Sequence, residues 1–482
     1  MKLFKLRLTT LKSKLYAIVF ASFVVRLVAF FFLPNKESSL APDEGNYGAL
    51  TEWIADGKPA DEYPYGGLYI ISRSLIVPAS LLNRLGFSGL DSVRIIASIY
   101  GLLTLILITF ILLRIVESRH EVANFVFKNQ KSVLILFAIF GLLPSHLIWS
   151  VLGLREAAME FWVLVVFSLV FYVFGVKKSP SKLAFVGMLI AIPLVFSSRP
   201  QVGWVLGVTL LIYFLFKVRT KAAQILIPLT VIGITSGYVV TTAFSVETTY
   251  VFVAQKKIIG PNPSGSPTST SSPTATTSSE FAASKLCEFE GQEVSIGESK
   301  YLCSKKIEKK SIVGLKNPGV ALVDQADAIP VRHEGNKGGA ASAIKTLSCP
   351  ITGESRLDKY FCIAYRAPYM TLTFLFRPML GVDVTSSSSL FAAAENVFWL
   401  GVALFVVVMF IRNRRLAFFR ALAPSLLFFS IYSVAAGSYE GNMGTAFRHK
   451  SLILWVVILL LASTIVATQQ RKAEREGISC SS

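Results

Sequence analysis

Two adjacent carboxylates, Asp43 and Glu44, follow an apolar segment of the chain in the stretch "SSLAPDEGNYGALTEWI". A carboxylate held close to a hydroxyl group can accept its proton while the oxygen attacks a carbon atom, so this pair could supply a general base. The same residues also suit an ordinary helix start, because proline is tolerated in the first turn and acids there complement the helix dipole. Both interpretations are open from these residues alone.

Further ionisable side chains lie where other apolar segments begin or end, and we expect them on the same side of the membrane as the acid pair. Singly, each is explained by a solvated ion pair, an interfacial arginine or a contact with lipid headgroups. Together, acids and cations at one membrane depth indicate a functional site, with carboxylates for proton transfer and cations for an anionic group. These residues are Arg155, Glu156, Arg199, Arg448, His449 and Lys450.

The composition indicates the class of protein that positions these residues. Hydrophobic residues make up 53% of the 482 residues, aromatic residues make up 12%, and the mean hydropathy is +0.58. These values exceed those of a soluble domain, so we predict an all-α polytopic membrane protein. About ten apolar segments approach the length that crosses a bilayer; they fall at 15–33, 93–113, 132–149, 157–176, 183–197, 203–216, 222–245, 392–411, 419–436 and 451–468.

The net charge of +19 would suggest nucleic acid as a partner of a soluble protein. Here the basic residues cluster in every second loop, as the positive-inside rule predicts, so they indicate topology and no nucleic-acid partner is expected. Both termini are then cytoplasmic, and the acid pair faces the outside of a multi-pass protein in the plasma (inner) membrane. The first apolar segment is predicted to be a retained anchor, because no small-residue cleavage site follows it.

Two apolar stretches are not counted as spans. Residues 66–86 and 369–383 are each interrupted by arginine and proline, and counting the first would place the basic loop at 114–131 outside. We therefore expect both to form helices on the outer membrane face.

The longest outer loop divides the chain into three parts. An N-terminal membrane module (1–245) precedes the loop (246–391), and a three-span module with a cytoplasmic tail (392–482) follows it. Within the loop, a Ser/Thr/Pro-rich linker at 261–279 cannot bury a core, and we expect a small ordered subdomain at 280–366.

Four of the five cysteines lie in this outer loop, which predicts two disulfides in an oxidising compartment. Four cysteines permit three connectivities, of which proximity favours Cys287–Cys303 and Cys349–Cys362. A zinc site is the alternative, disfavoured because neither a C-x-x-C spacing nor a nearby histidine pair is present.

The order of these features resembles the GT-C superfamily of integral membrane glycosyltransferases, especially the protein O-mannosyltransferase and aminoarabinose-transferase group (family 39-like). In that group an acidic motif with a following aromatic residue sits in the first outer loop, as Asp43, Glu44 and Tyr47 do here. A proline-containing element follows, similar to "EYPYGGLYIISR", although Tyr65 replaces its second proline. An arginine opens the second span, matched by Arg94. The long outer loop and the missing hydrophilic C-terminal domain depart from that group.

The resemblance implies a GT-C-type bundle that transfers a sugar from a polyprenyl-phosphate donor to an acceptor hydroxyl, with inversion, at the extracytoplasmic face. The acceptor could be a glycan, a protein or a lipid, and membrane lipids surround the enzyme. Asp43 is the expected base, and Glu44 and Glu156 would assist it or hold a divalent cation such as Mg²⁺ or Mn²⁺. The expected donor-phosphate ligands are Arg155, Arg199, Arg448 and Lys450, and the expected substrate contacts are Tyr47, Tyr65 and His449.

Two alternatives remain open. A lipid-linked polysaccharide polymerase or ligase also uses a large outer loop and outer arginines, but it would not need an acid pair after the first span. A lipid flippase or transporter would need charges deep within the spans, where Arg26 is the main charged residue that the sequence indicates.

Overall fold

The computed structural model divides the chain into two compact units, Met1–Thr241 with Lys316–Ser482, and Thr242–Leu315. The structure describes residues 2–32, 42–63, 69, 72–118, 130–142, 144–177, 182–242, 246–256, 293–296, 299–312, 356–384, 387–412, 417–440 and 444–457. The predicted linker at 261–279 lies outside these residues, as does most of the predicted subdomain at 280–366.

The larger unit is built from helices. They are α1 (Lys2–Phe32), α2 (Pro42–Ala55), α3 (Arg73–Arg84), α4 (Gly89–Ser118), α5 (Gln130–Leu142), α6 (Pro144–Val151), α7 (Arg155–Phe171), α8 (Lys182–Ser198), α9 (Pro200–Phe216), α10 (Lys221–Thr242), α11 (Arg356–Phe376), α12 (Ser387–Arg412), α13 (Ala417–Tyr439) and α14 (444–457). A 3-10 turn follows α2 at Ala60–Glu62, and a π-helical turn at Tyr172–Lys177 continues α7.

Four of these helices contain segments that are long and apolar enough to cross a membrane: Arg7–Phe32, Gly89–Leu113, Arg155–Phe174 and Lys221–Val239. Five shorter apolar helices overlap other predicted spans, at Val133–Leu142, Ala184–Ser198, Pro200–Phe216, Ser389–Phe405 and Ala423–Ser438. The chain is therefore a helical, membrane-embedded protein, as predicted. The count of about ten spans and the GT-C-type arrangement stay predictions.

The two stretches that were excluded as spans have different bounds in the structure. In the first, α3 is only 12 residues long, which is too short to cross a bilayer. The second was predicted to begin at residue 369, but α11 already begins at Arg356 and ends at Phe376. The first half of α11 was not predicted, because polar residues lie between its apolar side chains and no continuous apolar run is present there.

The smaller unit contains a three-stranded antiparallel sheet, which the sequence analysis did not predict. Its strands are β1 (Val246–Lys256), β2 (Glu293–Ile296) and β3 (Ser299–Ile312), in the order β1-β3-β2. The register pairs Val246 with Ile312 along the first ladder and Ile296 with Ser299 along the second. β1, "VETTYVFVAQK", is rich in β-branched and aromatic residues, which favour strands.

A small apolar core packs against α2, the helix that carries the acid pair. It contains Tyr47 and Leu50 of α2, together with side chains of α3, α4 and α7. Helices α2 and α4 approach so closely that a Cβ atom on Gly89 would lie 2.2 Å from the carbonyl oxygen of Gly48. Glu52 adds a polar tie, because its Oε1 accepts a hydrogen bond of 2.8 Å from the Gly89 amide at the start of α4. Close packing and this hydrogen bond therefore hold the helix that carries the acid pair.

Candidate functional site

Side chains from distant parts of the sequence form one ionic cluster. The first turn of α2 supplies Asp43, the first turn of α7 supplies Glu156, and α14 supplies Arg448 and His449. Arg199, at the N-cap position of α9, joins the cluster through its contact with His449. The structure therefore brings together most of the ionisable residues that the sequence analysis selected, including one pair 405 residues apart.

Arg448 lies between two carboxylates. Its Nη1 donates a hydrogen bond of 2.9 Å to Oδ2 of Asp43, and its Nε lies 3.2 Å from Oε1 of Glu156. Burial alone would lower the pKa of Arg448, but the charges of Glu156 and Asp43 raise it above its ordinary value. A permanently charged guanidinium is thus held beside an acid whose side chain keeps 40% of its surface exposed, Asp43.

Glu156 is the buried acid of the cluster. Only 2% of its side chain is exposed, and His449 Nε2 lies 3.6 Å from its Oε1. Oε1 of Glu156 is thus in ion-pair contact with Arg448 and His449, whereas Oε2 has no hydrogen-bond partner among the described residues. Buried charged groups are normally hydrogen-bonded, so Oε2 is the atom that is available to a hydroxyl of a ligand.

Glu440, which directly follows α13, is a member of the cluster that the sequence analysis missed. Its carboxylate accepts a hydrogen bond from Nδ1 of His449, and Arg199 Nη2 lies 3.5 Å from the same oxygen. Burial would raise the pKa of Glu440, but His449 and Arg199 lower it to about 2. Arg199 Nη1 also donates to Nε2 of His449. The one available signal was an acid in the short loop before "NMGTAFRHK".

The two acids of the pair have different surroundings. Glu44 is fully buried, and its Oε1 accepts a hydrogen bond of 2.6 Å from Nε of Arg94, which is 2% exposed. This ion pair ties α2 to α4. Asp43, in contrast, is part-exposed and faces Arg448. Asp43 is therefore the acid of the pair that a ligand can reach, whereas Glu44 has a structural role.

Lys450 does not contact the acids of the cluster in the way predicted for a donor-phosphate ligand. It is 4% exposed, and its Nζ donates to the carbonyl oxygens of Leu375 (3.3 Å) and Arg377 (2.6 Å) and to Oδ1 of Asn396 (2.8 Å). Burial lowers the pKa of Lys450 to about 7, against an attraction to Glu395 that raises it. We therefore leave Lys450 out of the candidate phosphate-binding set.

Tyr47 and Arg155 adjoin the cluster. Tyr47 is 1% exposed; burial raises its pKa, and the charges of Arg155 and Glu156 act on it. Arg155 is half-buried and also acts electrostatically on Glu156. Tyr47 is therefore part of the floor of the site in this structure. The third predicted substrate contact, Tyr65, lies outside the described residues.

A second polar cluster lies among the candidate spans, and it corrects the expectation that Arg26 is the main charge there. Glu160 follows Glu156 by one turn on α7, is 3% exposed, and lies 3.3 Å from Nδ1 of His146. Arg26 interacts electrostatically with Glu160 and donates a hydrogen bond of 3.1 Å to Oγ of Ser150. Glu160 was not predicted as a site residue, because the apolar run that surrounds it at 157–176 has the pattern of a uniform span.

The predicted metal ion and disulfides are tested only in part. In the described residues, no group of three or more His, Cys, Asp or Glu side chains is placed to hold a metal ion. Cys287 and Cys349 lie outside those residues, and Cys303 lies in β3, of which only the backbone is described. Cys362, in α11, is disulfide-bonded. The proposed pairing of the four cysteines stays a prediction.

Comparison with known proteins identifies no relative: no family model, curated protein or solved structure matches the chain. The fold and the site define its class as a helical membrane protein with an ionic cluster built from helix ends. Any more specific function has to be argued from that cluster.

Proposed function

We propose that the protein is a GT-C-like membrane glycosyltransferase that moves a sugar from a polyprenyl-phosphate donor to an acceptor hydroxyl at the extracytoplasmic face. The observation that carries the proposal is the contact of Arg448 with both Asp43 and Glu156. A part-exposed carboxylate beside a largely buried guanidinium combines a proton acceptor with a group that binds phosphate. The proposal includes ten spans, cytoplasmic termini and a plasma-membrane location.

In the proposed reaction, Asp43 accepts the proton of the acceptor hydroxyl while that oxygen bonds to the anomeric carbon of the sugar. The bond between the anomeric carbon and the phosphate oxygen breaks, and polyprenyl phosphate leaves with the electron pair. Attack opposite to the leaving group inverts the anomeric configuration. The charge of Arg448 stabilises the departing phosphate, because a preorganised cation in a water-poor site acts strongly where negative charge develops.

The remaining groups have supporting roles in this proposal. Oε2 of Glu156, which has no hydrogen-bond partner among the described residues, would accept a hydrogen bond from a sugar or acceptor hydroxyl. Arg155 adds positive charge near Glu156. Arg199 is held by Glu440 and His449, and this arrangement would orient its guanidinium toward the donor. Apolar helices beside the cluster would accommodate the polyprenyl chain.

The experiment that tests this function measures sugar transfer by the purified chain in reconstituted membranes, with polyprenyl-phosphate sugars as donors. We expect Asp43→Asn to lower transfer by about two to four orders of magnitude, the range for loss of a general base. Asp56→Asn is the matched control, because Asp56 follows the same helix but is exposed and pairs only with Lys58 among the ion pairs described. Equal transfer by the two variants would refute the role of Asp43.

A lipid flippase or transporter is the second candidate, because the structure does contain charges among the spans. Arg26 and Glu160 are both buried there, and intramembrane ionisable residues commonly mark a transport pathway. The same vesicles distinguish the two functions. A transporter would move a labelled polyprenyl-linked sugar across the bilayer without forming a new glycosidic bond, whereas the proposed enzyme would form the bond. A polymerase or ligase would instead yield a polysaccharide product.

A further inference from the structure

Helix α11 has an exposed apolar stripe along one face. The side chains recur at intervals of four, four, four and three residues, which places them on the same side of an α-helix. The most exposed is Leu357 (79%) and the least exposed is Tyr369 (40%). Two of the rings, Phe361 and Tyr365, stack with their centroids 6.4 Å apart. The stripe consists of Leu357, Phe361, Tyr365, Tyr369 and Leu372.

Side chains off the stripe pack α11 against α13. Met370 and Phe374 are buried, and a Cβ atom on Gly437 of α13 would lie 2.8 Å from the carbonyl oxygen of Met370. The ring of Phe374 lies 6.2 Å from that of Tyr432. From Met370 to Phe374 the residue number rises by four in α11, while the contacted residue in α13 falls by five, from Gly437 to Tyr432. The C-terminal half of α11 therefore runs antiparallel along α13, which contains the apolar helix Ala423–Ser438.

The C-terminal end of α11 has the polar partners that a helix end needs away from water. The Lys450 Nζ donates to the carbonyl oxygens of Leu375 and Arg377, which are among the orphan acceptors of the last turn. The amide nitrogen of Asn396, in α12, donates a hydrogen bond of 2.9 Å to the carbonyl oxygen of Pro378. Irregular backbone at membrane depth is tolerated only where the protein satisfies it in this way.

From these contacts we propose that the C-terminal half of α11 is inserted into the outer leaflet of the bilayer, alongside α13, with Tyr369 and Leu372 of the stripe in contact with lipid acyl chains. The surroundings of an apolar membrane helix are lipid, so a helix that runs along α13 presents its outer face to lipid as well. Tyr365 and Tyr369 suit this position, because tyrosine is enriched at the boundary between headgroups and acyl chains. The inference depends on the membrane topology and not on the proposed sugar transfer.

The test places the photoreactive residue benzoylphenylalanine at one stripe position at a time, Tyr369 or Leu372, in the full chain. The positive control is Phe20, 66% exposed in the candidate span Arg7–Phe32. The aqueous control is Lys58, whose side chain is 50% exposed in the turn after α2. Each variant is reconstituted in nanodiscs of phosphatidylethanolamine and phosphatidylglycerol, irradiated, digested and analysed by mass spectrometry for lipid adducts.

We expect lipid adducts at Tyr369 and Leu372 with a yield comparable to that at Phe20 and several-fold above that at Lys58. Yields equal to that at Lys58 would show that the stripe faces water, and would overturn the inference. A crosslinked product of twice the chain mass would overturn it too, because a second copy would then cover the stripe. Both probed positions are exposed, so each variant should elute as a single species and keep its stability. Sugar transfer is not part of the readout, so this test and the test of the proposed function can fail separately.

Discussion

We expect that neutralising Glu44 and neutralising Asp43 will have different effects on the stability of the protein. Glu44→Gln removes one charge of a fully buried ion pair, whose Nε–Oε1 distance is 2.6 Å. The Arg94 guanidinium, 2% exposed, then loses this counter-charge. Asp43→Asn removes a charge that is 40% exposed and is paired with Arg448 near the surface.

The expected magnitudes follow from burial. Removing one partner of a buried pair costs about 3–5 kcal/mol, because an uncompensated charge remains in the interior. Neutralising Asp43 leaves no uncompensated buried charge, because Arg448 keeps Glu156 as a second carboxylate partner, and a part-exposed pair of this kind contributes about 1 kcal/mol or less. We therefore expect Glu44→Gln to lower the unfolding free energy by several kcal/mol and Asp43→Asn to change it by about 1 kcal/mol or less.

Each purified variant is unfolded by heat or by denaturant in the same detergent, and its unfolding is monitored by circular dichroism. A double variant, Glu44→Gln with Arg94→Met, serves as the control, because it removes both charges and should be more stable than Glu44→Gln alone. If Glu44→Gln and Asp43→Asn lose equal stability, the division into a structural and a chemical acid is wrong. If the double variant is no more stable than Glu44→Gln alone, the two side chains are not coupled.

Four further outcomes are expected. Arg448→Ala should weaken binding of a polyprenyl-phosphate donor by about 1.5–3 kcal/mol, the range for a hydrogen bond to a charged group, and unchanged affinity in calorimetry would remove it from the phosphate site. Arg26→Met and Glu160→Gln should each destabilise the protein more than the double variant does, because the two buried charges attract each other, whereas additive losses would show that they are not coupled. The pKa of Glu440 is lowered from 4.5 to about 2 in the folded protein, so its contribution to stability is present above pH 4.5 and is lost as the pH falls toward 2. Glu440→Gln should therefore make the melting temperature depend less on pH between 4.5 and 2. An unchanged pH profile would contradict this. Non-reducing peptide mapping should find Cys362 joined to a second cysteine, with each disulfide of the outer loop adding about 2–4 kcal/mol, and four free thiols would end the disulfide prediction.

Several features of this protein follow from local sequence. An apolar segment of sufficient length must form a helix in a membrane, because only internal hydrogen bonds can satisfy its backbone there, so the candidate spans Arg7–Phe32 and Gly89–Leu113 were predictable. The helix start at Pro42 was also predictable, because proline and acidic residues favour the first turn of a helix. The clustering of Glu156, Arg199 and Arg448 was also expected, because topology assigned them to one membrane face.

Other features depended on which helices pack together. Neighbours in the chain, Asp43 and Glu44, point to different partners because successive helical residues lie about 100° apart, and only the packing of α2 against α4 assigns Glu44 to Arg94. The same holds for Lys450, two residues after Arg448 but bonded to α11 and α12. Residue type and spacing determined that charged side chains would lie at helix ends. The choice of partner was decided by tertiary contacts up to 405 residues apart in the chain, which local sequence does not encode.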